Sequence, residues 1–282
     1  MSNPSERRSS VTWGAGLHAP IGYRTDGLAY ERYVGRWSRL FVPTLLDAAE
    51  IRDGDRVLDV ATGTGEAAQL ALERIGRSGL VVGADISLAM VQEACARLAA
   101  NPQFLPIVSD GQSLGFPDAS FDAVVCQLGL MFFPDPARGL AEFRRVLRPD
   151  RRAAVCVISL ASRAPMWGIL ADTLSEYFPE HAKTLHLSFS LADAAQLEQL
   201  IRAAGFSDPR VTREVRRDAI ASFDEYWAPI ESGVGSLPQA YLALPEASRR
   251  AVKEKVHERL SPFESEGRLE LSVEMLIANG RA

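Results

Sequence analysis

Residues 56–66, RVLDVATGTGE, constrain the fold of this chain more than any other stretch. Val57, Leu58, Val60 and Ala61 form an apolar run of strand length, and Gly63 and Gly65 follow at once. A β-run this apolar is buried on both faces, which calls for a parallel sheet with helices on either side. Two glycines so close together permit a tight turn and a near approach of backbone to a ligand. Helix formers then take over, so the segment reads as strand, loop and helix.

The same punctuation recurs downstream. Strands are expected at 56–61, 80–85, 104–108, 121–127 and 153–158, with helices at 64–75, 88–99 and 137–147. Such alternation implies a doubly wound α/β fold. Residues 191–204 read as a helix with Gly205 at its cap, and 209–221 and 269–278 as two further strands. Upstream, 28–49 is helical, with Tyr30, Tyr33, Trp37 and Phe41 at spacings of three and four. Pro43 is expected to open a second helix there. The whole reads as one domain, 1–282. Residues 1–50 supply a mobile leader and lid helices, and 51–160 a cofactor-binding core. Residues 161–190 and 222–262 supply substrate-cap insertions.

Composition narrows the function. Apolar residues make up 47% and charged residues 24%, the mix of an ordinary globular protein. A net charge of -5 disfavours a nucleic-acid substrate. Arg144, Arg145, Arg148, Arg151 and Arg152 read as a solvated helix end and its turn. Glu176 and Glu180, around Phe178-Pro179, read as another solvated helix end. Cys95, Cys126 and Cys156 lack the spacing of a disulfide framework or a metal site, so no metal is expected. Cys126 and Cys156 lie in apolar runs and read as core. No apolar run is long enough for a signal peptide or a membrane span, which makes the cytoplasm the expected compartment.

In open α/β sheets, ligands bind at the carboxyl ends of the strands where strand order reverses. Asp59 ends the first strand just before the glycine loop. Asp85 ends the second, where an acid grips the hydroxyls of a ribose. These features indicate a nucleoside cofactor without naming it, because Gly63, Gly65 and Ala68 also satisfy the dinucleotide pattern G-x-G-x-x-A. Charge separates the two. A dinucleotide sets its pyrophosphate on the helix after the loop. Asp59 and Glu66 would repel it there, and would suit a cofactor with an ammonium and a sulfonium.

Four ordered motifs, VLDVATGTG, GADIS, SDGQSLGFPDASFD and CQLGLMFFPDPARGLAEFRRVLRP, resemble those of class I S-adenosylmethionine-dependent methyltransferases, in the small-molecule, quinone-type branch. The likeness covers residues 28–160 well, and AYERYVGRWSRL is similar to the N-terminal helix of such enzymes. It implies a Rossmann-like, mostly parallel seven-stranded sheet with an antiparallel C-terminal strand and helical lid insertions. It also implies roles. Asp59 would hold the amino group of S-adenosylmethionine, and Ala61, Gly63, Thr64 and Gly65 would let backbone approach its methionine part. Asp85 would take both ribose hydroxyls. Ile86, Met90, Asp110, Gly111 and Gln112 would surround the adenine, with Asp110 accepting from its amine. Gln127 would lie beside the transferred methyl, and Tyr33 and Trp37 would close over the cofactor. One departure is visible: Asp150-Arg151-Arg152 stands where the family often has a glycine pair.

Methyl transfer needs alignment and exclusion of water, and an aromatic lid suits both. Tyr23, Phe132 and Trp167 are the candidates for contacting the acceptor, a small, apolar or aromatic metabolite methylated on O, N or C. A general base is needed only where the acceptor carries a proton, and His186 and His18 are the candidates. The aromatic N-terminal helix is also a candidate surface for a second copy of the chain. Three alternatives stand beside this reading: a nicotinamide-dependent oxidoreductase, a methyltransferase-like fold recruited to another reaction, and a non-catalytic scaffold.

Overall fold

The structure, a computed structural model, describes residues 27–282. The strands are β1 Arg56–Val60, β2 Leu80–Asp85, β3 Phe104–Val108, β4 Phe121–Gln127, β5 Leu147–Ile158, β6 Ser207–Ile220, β7 Glu264–Ser265 and β8 Arg268–Arg281. They form one sheet in the order β3-β2-β1-β4-β5-β8-β6. The first five are parallel; β8 runs antiparallel between β5 and β6. The seven strands of this path are those expected from sequence. The two-residue β7 is an addition, pairing with β8 across a hairpin. Strand order reverses between β1 and β4, which are direct neighbours, so their carboxyl ends open the crevice where ligands bind.

The helices are α1 Gly27–Tyr30, α2 Arg36–Ala48, α3 Glu66–Arg74, α4 Leu88–Leu98, α5 Pro136–Val146, α6 Pro165–Tyr177, α7 Ala182–Leu185, α8 Ala194–Ala203, α9 Phe223–Glu231, α10 Ser236–Leu242 and α11 Glu246–Leu260. Local chemistry sets several starts. Ser87 caps α4 by accepting from the Met90 N–H, Asp135 caps α5, and Asp193 caps α8 through the N–H groups of Ala195 and Gln196. That last cap places the start of α8 three residues beyond the expected 191.

Pro43 does not open a helix. It lies inside α2 on the solvent-facing side. Trp37, Phe41, Val42, Leu45 and Leu46 are buried on the other side, and that packing outweighs the local cost of a proline. A π turn, Glu31–Gly35, joins α1 to α2 in one helical rod.

Of the arginines at the end of α5 and its turn, Arg144 and Arg148 are exposed as expected, but the others are engaged in ion pairs. Arg145 binds Glu142 and Asp118, and Arg151 reaches Asp55. Arg152 is only 5% exposed, and it donates to Glu50, Asp208 and Asn279. Asp150, in the turn within this stretch, adopts φ +64°. Glu176 is likewise no free helix end, since Lys255 and Arg259 clamp it and so fasten α6 to α11. Cys126 and Cys156 are core residues. No helix among the described residues is long and apolar enough to cross a membrane.

Candidate active site

Asp59, at the end of β1, is wholly buried. Its Oδ2 accepts from the Thr62 hydroxyl at 2.7 Å, while Oδ1 has no partner among the described residues. Burial pushes its pKa up to about 7, with the nearby Asp85 adding to the rise and the Thr62 hydroxyl opposing it. The chain then turns through Ala61 at φ +57°, Gly63 at +56° and Gly65 at +85°. Leu128, just past β4, has φ +54°. Both strands flanking the reversal thus leave the sheet through a left-handed, non-glycine residue. Such costly backbone concentrates at ligand sites.

Asp85, at the end of β2, clasps this loop. Its Oδ2 accepts from the Gly63 N–H and its Oδ1 from the Ser87 N–H, each at 2.9 Å. Each oxygen keeps a second lone pair, enough to accept from ribose hydroxyls. Burial raises the pKa of this carboxyl too. Ile86 is half-buried and Met90 buried at the start of α4. Asp110 Oδ1 accepts from the backbone and side-chain amides of Gln112 at 2.9 and 3.3 Å. Gln112 Oε1 in turn accepts from the Asp135 N–H at 2.8 Å. The Gln112 amide therefore braces Asp110 and Gly111 against the start of α5.

Gln127 ends β4 beneath the N-terminal rod. Its Nε2 donates to the Ser38 carbonyl and hydroxyl, both at 3.2 Å, leaving Oε1 without a partner. Tyr33 and Trp37 lie on the same rod, fully buried. Trp167 meets Trp37 edge-on at 6.5 Å between ring centres. Phe132 is half-buried in the turn after β4.

A four-charge cluster ties the rod to the loop. The Thr64 hydroxyl donates to Glu31 at 2.7 Å. Arg39 bridges Glu66 and Glu31, and Arg97 bridges the same two acids from α4. Burial disfavours the Glu66 charge, but Arg39 and Arg97 outweigh it and hold its pKa below the usual carboxylate range. This refines the sequence-based use of Glu66: within the protein its charge is balanced by Arg39 and Arg97. Asp59, by contrast, keeps one carboxylate oxygen without a partner among the described residues.

His186 is held between α6 and α7. Both ring nitrogens of His186 face protein acceptors, Nε2 with Asp172 at 2.7 Å and Nδ1 with the Ala182 carbonyl at 2.9 Å. His18 and Tyr23 lie outside the described residues. Sequence reading missed Thr62, Ser38, Glu31, Arg39 and Arg97. Of these, Thr62 was within reach, being a hydroxyl three residues after Asp59 inside the loop; the others meet only through tertiary packing.

Doubly wound order, a glycine loop after β1, and acids closing β1 and β2 define a nucleoside-binding α/β enzyme. Residues 58–155 match a family described as a methyltransferase domain, and the chain belongs to the class I S-adenosylmethionine-dependent methyltransferase family. It is 32% identical over 170 residues to the demethylmenaquinone methyltransferase of Corynebacterium kroppenstedtii, covering 56% of this chain and 70% of that protein. The ubiquinone/menaquinone biosynthesis C-methyltransferase UbiE of Xanthomonas oryzae is 39% identical over 126 residues, 44% of this chain. The match spans about half, 48%, of that relative's length. In fold, the chain is similar to a Haemonchus contortus phosphoethanolamine N-methyltransferase 2 solved with S-adenosyl-L-methionine. The TM-score is 0.56 at 19% identity, over 90% of this chain and 56% of that one. Family membership decides between the two nucleoside cofactors in favour of S-adenosylmethionine, and the unpartnered Asp59 Oδ1 just before the glycine loop fits it.

Proposed function

We propose that this protein methylates a small, apolar, aromatic acceptor, with a ring carbon of a quinol-type metabolite favoured over an oxygen or nitrogen. The cofactor supplies an electrophilic methyl group on a sulfonium. Asp59, through its free Oδ1, holds the cofactor's ammonium, and Gln127 Oε1 is a second acceptor nearby on β4. Asp85 takes the ribose hydroxyls. Ile86 and Met90 flank the adenine, and Asp110 with Gly111 receives its edge. Gly63, Thr64 and Gly65 let the backbone come close to the methionine portion.

The observation that carries this reading is the buried Asp59 carboxylate with one oxygen left for a ligand cation at the strand reversal. The quinol preference is supported by the names of the two relatives. In that reaction the ring carbon bonds the methyl carbon as the methyl–sulfur bond breaks, and the ring proton at that carbon is then lost to solvent. The protein's own task is then to orient the ring and exclude water. A cytoplasmic location and a small-molecule partner, with no role for nucleic acid, complete the proposal; the net charge of -5 agrees with it. Incubation with S-adenosylmethionine and a reduced, demethylated naphthoquinol tests it. A gain of one methyl on a ring carbon supports the reading, and methylation only on oxygen moves the acceptor atom.

A further inference from the structure

Tyr33 and Trp37 lie four residues apart on the N-terminal rod and are 3% and 0% exposed. Neither the Tyr33 hydroxyl nor Trp37 Nε1 finds a hydrogen-bond partner among the described residues. Buried polar groups are rarely left so, because the desolvation cost is then uncompensated. Two successive orphans on one rod ask for a ligand.

Their surroundings say which one. The preceding turn serves the cofactor loop: a side chain at Gly63 would lie 3.8 Å from the Tyr30 hydroxyl, and Glu31 accepts from Thr64. Trp37 instead meets Trp167 of α6, and the π turn bearing Tyr33 packs on α9. The nearby Tyr226 of α9 spends its own hydroxyl proton on the Met166 carbonyl at 2.8 Å. These are cap elements with an aromatic and aliphatic lining.

The orphaned atoms also sort by chemistry. Asp59 Oδ1 and Gln127 Oε1 accept, as the cofactor's ammonium requires. Trp37 Nε1 can only donate, and the Tyr33 hydroxyl has a proton to give. We propose that Trp37 Nε1 and the Tyr33 hydroxyl bind an oxygen of the methyl acceptor from the cap side, which makes the acceptor an aromatic molecule bearing a hydroxyl or carbonyl. The assignment rests on the methyltransferase reading, and moves both residues from cofactor to acceptor. Holding one oxygen fixes which ring atom faces the methyl, so these two residues set regiochemistry.

The test compares 1-naphthol with naphthalene as ligands of the S-adenosylhomocysteine complex, in wild type, Tyr33→Phe and Trp37→Phe. Wild type should bind naphthol about tenfold more tightly or better. Each variant should lose most of that preference while holding naphthalene and S-adenosylhomocysteine as before. An equal preference in all three proteins, or no naphthol binding to the wild-type complex, overturns the assignment. So does a large loss of S-adenosylhomocysteine affinity in either variant, since the donors would then serve the cofactor's carboxylate while the methyltransferase reading stands. Failure of wild type to bind S-adenosylhomocysteine at all removes both.

Discussion

Arg39 Nε lies 2.9 Å from Glu66 Oε1, a bond between the N-terminal rod and the first residue of the helix that follows the glycine loop. Arg97 binds both Glu66 and Glu31, and Glu31 binds Thr64. The rod is thus latched over the loop by charge. Because Arg39 is half-exposed, the bond is screened by salt and contributes at most about 1 kcal/mol to stability. Its effect falls on motion instead. Arg39→Ala should speed S-adenosylhomocysteine release several-fold in stopped flow. Raising ionic strength should speed release in wild type, and less in the variant. Equal rates in both proteins would remove the latch.

Gly35 carries the same idea without touching a charge. A side chain there would sit 2.5 Å from Glu31 Oε2, so Gly35→Ala must displace the Glu31 carboxylate. Alanine favours a helix by about 1 kcal/mol over glycine, which offsets part of any cost, and Tm should change little. Cofactor release should nonetheless quicken as it does for Arg39→Ala, with no further gain in the double variant. Additive effects would show that Gly35 acts elsewhere.

Asp59 gives the site a pH dependence whose sign is fixed. Its folded pKa, raised by burial to about 7, lies above the ordinary value of 3.8. Stability from this group is therefore full below about pH 4 and is lost as pH rises toward 7, by an amount on the order of a few kcal/mol. Asp59→Asn should raise the Tm of the cofactor-free protein at pH 8 and barely change it at pH 4. Cofactor affinity should run the other way. The ammonium needs the ionised acid, so affinity in wild type should fall as pH drops below 7, and Asp59→Asn should bind weakly and without that slope. A flat wild-type profile by calorimetry would contradict the ammonium assignment.

Asp150 occupies a left-handed position, at φ +64°. Asp150→Gly should be tolerated. Asp150→Val, with a branched side chain at φ +64°, should cost about 1–2 kcal/mol in chemical denaturation. Equal stability of the two variants would mean the turn relaxes.

The parallel half of this fold was legible because β1 to β4 are short, largely apolar and bounded by turn residues. β2, β3 and β4 begin and end where the pattern puts them. Legibility failed where distant packing overrides local preference. Pro43 reads as a boundary but sits inside α2, since the buried face from Trp37 to Leu46 holds the helix together. Arg152 reads as surface because its partners Glu50, Asp208 and Asn279 are scattered along the chain. In the site, Asp59 and Asp85 declared themselves by standing at strand ends. The balancing of Glu66 was hidden, because nothing adjacent in sequence signals Arg39 and Arg97. The unpartnered Tyr33 and Trp37 atoms are visible only in three dimensions.

Calorimetric titration of S-adenosylhomocysteine into wild type and Asp85→Ala tests the central claim most directly. One site of roughly micromolar affinity, about -8 kcal/mol, is expected in wild type, with a loss of tenfold or more in the variant. No binding of S-adenosylhomocysteine alongside tight binding of NAD would contradict the cofactor assignment, and an unchanged affinity in Asp85→Ala would contradict the ribose contact.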